Sequence, residues 1–158
     1  EGEEILVLEG VFSDDQGDYP AGTFLMNPHG SRHAPRSAPG CTLFVRLRQY
    51  PGEDRPRLVE DTQDPAGWYP GLVEGLSVRP LYSQAGYPEN VALVRWAPGT
   101  RFQRHSHRGG EEILVLEGEF ADEHGRYPGG TWLRSPHLSQ HTPFSEVGCL
   151  IYVRVGGL

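Results

Sequence analysis

Four residues of this chain have the types and spacing of a metal-ligand set. His105 and His107 are two imidazoles separated by one residue, Glu111 supplies a carboxylate four residues on, and His141 adds a third imidazole. Mixed nitrogen and oxygen donors of this kind suit a divalent transition metal, with Zn, Fe, Mn, Ni and Co all admissible. Iron at such a centre permits oxygen chemistry, whereas zinc permits Lewis-acid chemistry or a structural role. On a strand, His105 and His107 point to the same face because side chains alternate with period two. Gly109-Gly110 lets the backbone bend sharply before Glu111, which brings the carboxylate of the next strand to the same point. Under that alternation Glu112 faces away, and a bulge would exchange the pair. His137 is the substitute for His141 should the loop after Pro136 turn differently, and His124 sits in a polar turn and is expected to be exposed.

The elements that must position these residues occur twice. Residues 2–10, Gly-Glu-Glu-Ile-Leu-Val-Leu-Glu-Gly, recur unchanged at 110–118. The correspondence continues from Tyr19-Pro to Tyr127-Pro, from Pro28-His to Pro136-His, from His33 to His141 and from Gly40-Cys41 to Gly148-Cys149. About half of some fifty aligned positions are identical, which marks two copies of one fold. Each copy offers short apolar runs: Ile5 to Phe12, Gly22 to Met26 and Cys41 to Leu47, then Ile113 to Phe120, Gly130 to Leu133 and Cys149 to Val155. Turn clusters such as Ser13-Asp-Asp-Gln-Gly separate them, predicting antiparallel hairpins. Three further strands are expected ahead of the second copy, at Leu76 to Tyr82, Val91 to Trp96 and Arg101 to His105. The domain reading is a first repeat over 1–50, incomplete at its start, a connecting segment over 51–75 and a complete barrel over 76–158. Trp68 and Leu72 are expected to pin part of the connecting segment to a surface. Phe102, Trp132, Phe144 and Tyr152 are expected in the core. Glu3 and His33 correspond to Glu111 and His141, but the equivalents of His105 and His107 fall before residue 1, so the first repeat is expected to be metal-free on its own.

Composition agrees with an all-β chain. Apolar content is 37%, charged content 22%, and 21 glycines and 14 prolines favour short strands and tight turns over long helices. A net charge of -7, with no cluster of Lys and Arg among aromatics, argues against nucleic-acid binding. No apolar run is long enough for a transmembrane helix and no secretory signal is visible, so a cytoplasmic protein without a membrane partner is expected. The two cysteines, Cys41 and Cys149, read as buried strand thiols rather than a disulfide.

The pattern Gly99-x5-His105-x-His107-x3-Glu111-x6-Gly118 resembles the first motif of the cupin superfamily without departure. Pro136-x-Leu138-x2-His141 resembles the second, except that Leu138 stands where the motif has glycine, which puts the loop geometry in question more than the ligation. The resemblance implies a double-stranded β-helix, the cupin jelly-roll barrel, in a tandem (bicupin) arrangement with His105, His107, Glu111 and His141 as metal ligands. A narrower likeness, carried by Gly-Glu-Glu-Ile-Leu-Val-Leu-Glu-Gly and Asp-x-x-Gly-x-Tyr-Pro-x-Gly-Thr, is to the ChrR-type cupin domain. The helical sigma-factor-binding domain of that family is not seen in this sequence, so sigma-factor binding is not carried over. What the resemblance implies is a metal-binding module that binds or senses a small molecule, and a homodimer. The alternative is a metal-dependent dioxygenase acting on a small diketone or related carbon acid.

Overall fold

The structure, a computed structural model, describes residues 2–48, 52 and 54–158. The start of the connecting segment, including Pro51 of its Pro-Gly turn, lies outside the described residues. Among the described residues every regular element is a strand. The chain divides into two compact units, Glu1–Pro65 and Ala66–Leu158. Residues 51–75 are therefore shared between them, and each end of this stretch contributes a strand to the unit it adjoins.

In the first unit, β1 (Glu3–Asp14) runs antiparallel to β2 (Gly17–Pro20), β3 (Thr23–Asn27) and β4 (Cys41–Leu47), and β5 (Leu58–Asp61) adds to the far side of β3. Strand β1 is long enough to change partners along its length. Its first half pairs with β3, from Glu3↔Asn27 to Leu6↔Phe24, and its second half with β2, from Val11↔Pro20 to Asp14↔Gly17. Along its other edge it pairs with β4, with a register shift between Val7 and Glu9. Ile5, Val7, Phe12, Tyr19 and Leu25 face one side and form the core of this unit.

The second unit repeats that plan and extends it. Its strands are β6 (Tyr69–Pro70), β7 (Leu76–Ser83), β8 (Asn90–Trp96), β9 (Thr100–Arg101), β10 (His105–Ser106), β11 (Glu111–Asp122), β12 (Gly125–Pro128), β13 (Trp132–Ser135), β14 (Gln140–His141), β15 (Phe144–Ser145) and β16 (Cys149–Val155). Strand β11 is the counterpart of β1. It pairs with β13 from Glu111↔Ser135 to Leu114↔Trp132, with β12 from Glu119↔Pro128 to Asp122↔Gly125, and with β16 through a register shift between Val115 and Glu117, the same place as in the first unit. The shift is held by Gly10 and Gly118, at φ 72° and 71°, where a Cβ would stand 2.0 Å from the carbonyl oxygens of Gly40 and Gly148 respectively. Only glycine tolerates both that backbone and that approach.

On the free side of β16 lie β8 and then β7 and β6, and β9 reaches β11 through β15. The expected strands at Leu76 to Tyr82 and Val91 to Trp96 are present, whereas Arg101 to His105 is broken. Only Thr100–Arg101 and His105–Ser106 are strand: Phe102 donates its N–H to Pro143 in register with β15, but Pro143 has no N–H to carry the ladder further. The result is an all-β jelly roll whose core in this unit gathers Leu76, Trp96, Ile113, Val115, Phe120, Cys149 and Ile151. Tyr152 is fully buried, but Trp132, expected in the core, is 54% exposed. Its indole N–H donates to Glu112 Oε1 at 2.9 Å, so the ring lies on the side of β11 and β13 away from Glu111 and covers a buried carboxyl group. Trp68 lies under Arg95, whose guanidinium carbon is 4.5 Å from the ring centroid, while Leu72 is 88% exposed. Both cysteines are free thiols.

Candidate metal centre

Four elements of the second unit deliver one donor each to a common point. His105 comes from β10, which pairs with β14 through His105↔His141, so the ladder itself sets two imidazoles side by side. His107 follows β10, with its N–H on Ser139 O at 3.1 Å and its carbonyl accepting from Leu138 N at 2.9 Å. The chain then reverses at Gly109-Gly110, both at positive φ, and a Cβ on Gly110 would stand 2.8 Å from Ser135 O. Glu111 therefore enters β11 with its side chain inside the barrel and Glu112 outside. One donor atom from each of His105, His107, Glu111 and His141 lies within 4.8 Å of all the others. His107, Glu111 and His141 are buried, each 6% exposed.

The surroundings fix the tautomers. His105 Nδ1 is 2.9 Å from Gln103 O and can only donate to that carbonyl, leaving the Nε2 lone pair free. His141 Nδ1 is 3.4 Å from Asp122 Oδ2, and Asp122 is itself held through Oδ1 by His124 N at 2.8 Å, Gly125 N at 3.1 Å and the Tyr127 hydroxyl at 3.1 Å. An imidazole oriented by a carboxylate behind it is a common arrangement around metal-ligating histidine. The His107 and His141 Nε2 atoms then meet at 3.0 Å.

Burial, followed by the positive charge that His105 and His141 can carry, brings His107 down to about 4. Burial first and His105 second also lower His141, against the opposing pull of Asp122. Both rings are neutral and free to ligate at neutral pH. Burial, with the Asp122 charge behind it, pushes Glu111 up to about 8.

This donor set fits a cation. Glu111 Oε2 is buried without a hydrogen-bond partner, and its nearest polar neighbours are the Nε2 atoms of His107 and His141 at 3.4 and 3.5 Å. A buried carboxyl oxygen left in that state costs about 1–3 kcal/mol, and more once ionised. The first unit makes the contrast. There Glu3 Oε2 accepts from Asn27 Nδ2 at 3.1 Å and faces His33 Nε2 at 3.2 Å, while His33 Nδ1 is 3.3 Å from Asp14 Oδ2. Ser135 occupies the position of Asn27 in the second copy, so the donor that satisfies Glu3 has no equivalent beside Glu111.

Of the other residues considered from sequence, His137 is outside the cluster, and its Nδ1 accepts from Gly109 N at 2.9 Å. His124 is exposed. Leu138 adopts φ 64°, the left-handed region that Gly30 occupies at φ 80° in the first unit, so the loop keeps its turn despite losing the glycine. Sequence reasoning missed Asp122. The available signal was the repeated Asp-x-x-Gly-x-Tyr at Asp14 and Asp122, which reads as hairpin chemistry alone.

Beside the cluster is a cavity of about 480 Å³ lined by His105, His107, Glu111 and His141 together with a mainly apolar wall. Gln103 is the one polar side chain with hydrogen-bonding capacity on the lining outside the cluster and the Trp96 indole.

Comparison with known proteins places this geometry in a family. The anti-sigma-E factor ChrR of Cereibacter sphaeroides is 39% identical over 61 residues, which is 38% of this chain but only 29% of the length of that protein. The structure of ChrR from Rhodobacter sphaeroides in complex with SigE matches with TM-score 0.52 at 27% identity, covering 59% of this chain and 51% of that one. A provisionally named dioxygenase from Nostoc punctiforme matches with TM-score 0.76 at 17% identity over 98% of this chain and 61% of its own, a likeness of fold alone. The ChrR cupin-like domain profile matches residues 1–51 and again 57–158, and the chain belongs to that family.

Proposed function

We propose that this protein is a metal-binding ChrR-like cupin that binds or senses a small molecule at one divalent ion held by His105, His107, Glu111 and His141. The observation that carries this reading is the buried Glu111 oxygen without a hydrogen-bond partner, set between two neutral imidazoles at the edge of a ligand-sized cavity. When bound, the ion supplies a Lewis-acidic point in an apolar space. The chain's own residues hold it, with Asp122 orienting His141 and the Gln103 carbonyl orienting His105. Apart from the cluster, the described residues lining the cavity include no carboxylate, Lys, Arg, Tyr or further His to act as a general acid or base, which favours binding over proton-transfer catalysis.

Elemental analysis of the full chain purified without added metal tests the proposal. About one transition-metal ion per chain is expected, with loss of that ion in the His105→Ala/His107→Ala variant. No tightly held ion, or two per chain, overturns it.

A second reading, a metal-dependent dioxygenase acting on a small diketone or related carbon acid, draws support from the cavity adjoining the cluster. Loading with Fe(II) and following oxygen uptake on a diketone panel separates the two, since a binding module consumes no oxygen in turnover. Sigma-factor binding belongs to the ChrR relative as it is named, and the described residues of this chain include no helix.

A further inference from the structure

The wall of the cavity determines the kind of ligand it accepts. Val78, Val94, Ile151 and Val153 from β7, β8 and β16 face it, with Phe102 and Phe120 beside the imidazoles. Among the described residues no Lys or Arg lines it, so a second charge on a ligand would be desolvated without a partner, a transfer that is strongly unfavourable. Nor does the lining offer the many donors and acceptors that a sugar or a nucleotide needs, since Gln103 and the cluster carry most of its hydrogen-bonding capacity. At its solvent end Leu72, 88% exposed, also borders the space, so the apolar character continues outward.

Charge sets the head group. A dication held by three neutral imidazoles and one carboxylate leaves a net charge of +1 on the ligand shell that faces this apolar space, with Asp122 behind His141 and off the lining. One negative charge on the ligand cancels it, none leaves it uncompensated, and two carry an excess into the hydrocarbon wall. Volume sets the body. A space of about 480 Å³ is of the size that takes a small organic molecule.

We infer that the centre takes a small monoanion with one anionic oxygen head group, a carboxylate or an enolate, on a hydrocarbon body. This rests on the metal-binding reading above. The head meets the ion, the body lies along Val78, Val94, Ile151 and Val153, and each added methylene tightens binding about fourfold until the cavity is filled.

The test uses the full chain loaded with Co(II), whose visible spectrum reports changes at the centre, with bound cobalt counted by elemental analysis. Acetate, butanoate, hexanoate, octanoate and hexanedioate are titrated in turn. The expected result is a spectral shift with Kd falling about fourfold per methylene from butanoate to octanoate, and hexanedioate at least a hundredfold weaker than hexanoate. The near-isosteric Val78→Thr/Val94→Thr variant should keep its cobalt and lose most of the difference between hexanoate and octanoate. With one cobalt bound, equal affinity across the series, or preference for hexanedioate, overturns the ligand class and leaves the metal centre standing. Failure to bind cobalt removes both, and the elemental analysis identifies which has failed.

Discussion

Replacing Glu111 with Gln should stabilise the metal-free protein, and bound metal should erode that gain, with a pH dependence that the structure specifies. Burial, aided by Asp122, raises the Glu111 carboxyl from 4.5 to about 8. A group whose folded pKa is raised contributes stability that is fully present below its unfolded value and is lost as pH rises through its folded value. In the metal-free chain the loss is about 1 kcal/mol at pH 5 and about 4 kcal/mol at pH 8. Glutamine does not titrate, so the variant should gain about 3 kcal/mol on wild type between those two pH values. Urea unfolding of EDTA-treated protein, followed by tryptophan fluorescence, reads the relevant unit directly, because Trp68, Trp96 and Trp132 all belong to Ala66–Leu158. Saturating divalent metal should cut into that advantage at pH 8, since wild type then binds the ion at least tenfold more tightly and gains at least about 1.4 kcal/mol more by mass action. A difference between the two metal-free proteins that does not vary from pH 5 to pH 8 would refute the burial argument. A variant that holds metal as tightly as wild type would refute the assignment of the carboxylate as a donor.

Other perturbations follow from the same geometry. Asp122→Asn keeps an oxygen for His124 N, Gly125 N and the Tyr127 hydroxyl but removes the charge behind His141, and should weaken metal affinity about tenfold with little change in unfolding midpoint, measured by competition with a chromophoric chelator. Leu138→Gly relieves a left-handed backbone at an exposed residue and should stabilise the protein by about 1 kcal/mol in urea unfolding, leaving metal stoichiometry unchanged. Asp14 follows the opposite pH rule to Glu111. Burial disfavours its charge, but hydrogen bonds from Gln16 N and Tyr19 and the contact with His33 outweigh burial and hold its carboxyl below the usual range. Its contribution is therefore present above its unfolded value and lost as pH falls through its folded one, so hydrogen exchange in residues 3–47 should accelerate at acid pH in wild type and show a weaker acid response in Asp14→Asn.

The parts of the fold that were legible in the sequence are those written in local chemistry. The turn clusters and alternating runs marked β1, β3, β4 and their counterparts, because hairpin strands carry their own punctuation. The cluster of His105, His107, Glu111 and His141 was legible because their types and strand spacing bring the four side chains to one point. What escaped depended on partners distant in sequence. Leu58–Asp61 reads as linker until β3 offers it an edge, and Trp132 reads as core until Glu112 supplies its indole with an acceptor on the outside of the sheet. Asp122 was hidden for a different reason. It serves the hairpin through Oδ1 and His141 through Oδ2, and only the first role leaves a trace in sequence.

The two thiols give the protein a built-in asymmetry for labelling. Burial pushes the Cys149 thiol up to about 11, against a hydrogen bond with Ser145, so it stays protonated and shielded from alkylating reagents at neutral pH. Cys41, its counterpart in the other unit, is only half-buried. A maleimide dye should therefore attach at Cys41 alone, placing one extrinsic chromophore in the unit that has no tryptophan. Each half of the chain would then emit at its own wavelength, and a single titration could follow both without a single engineered residue.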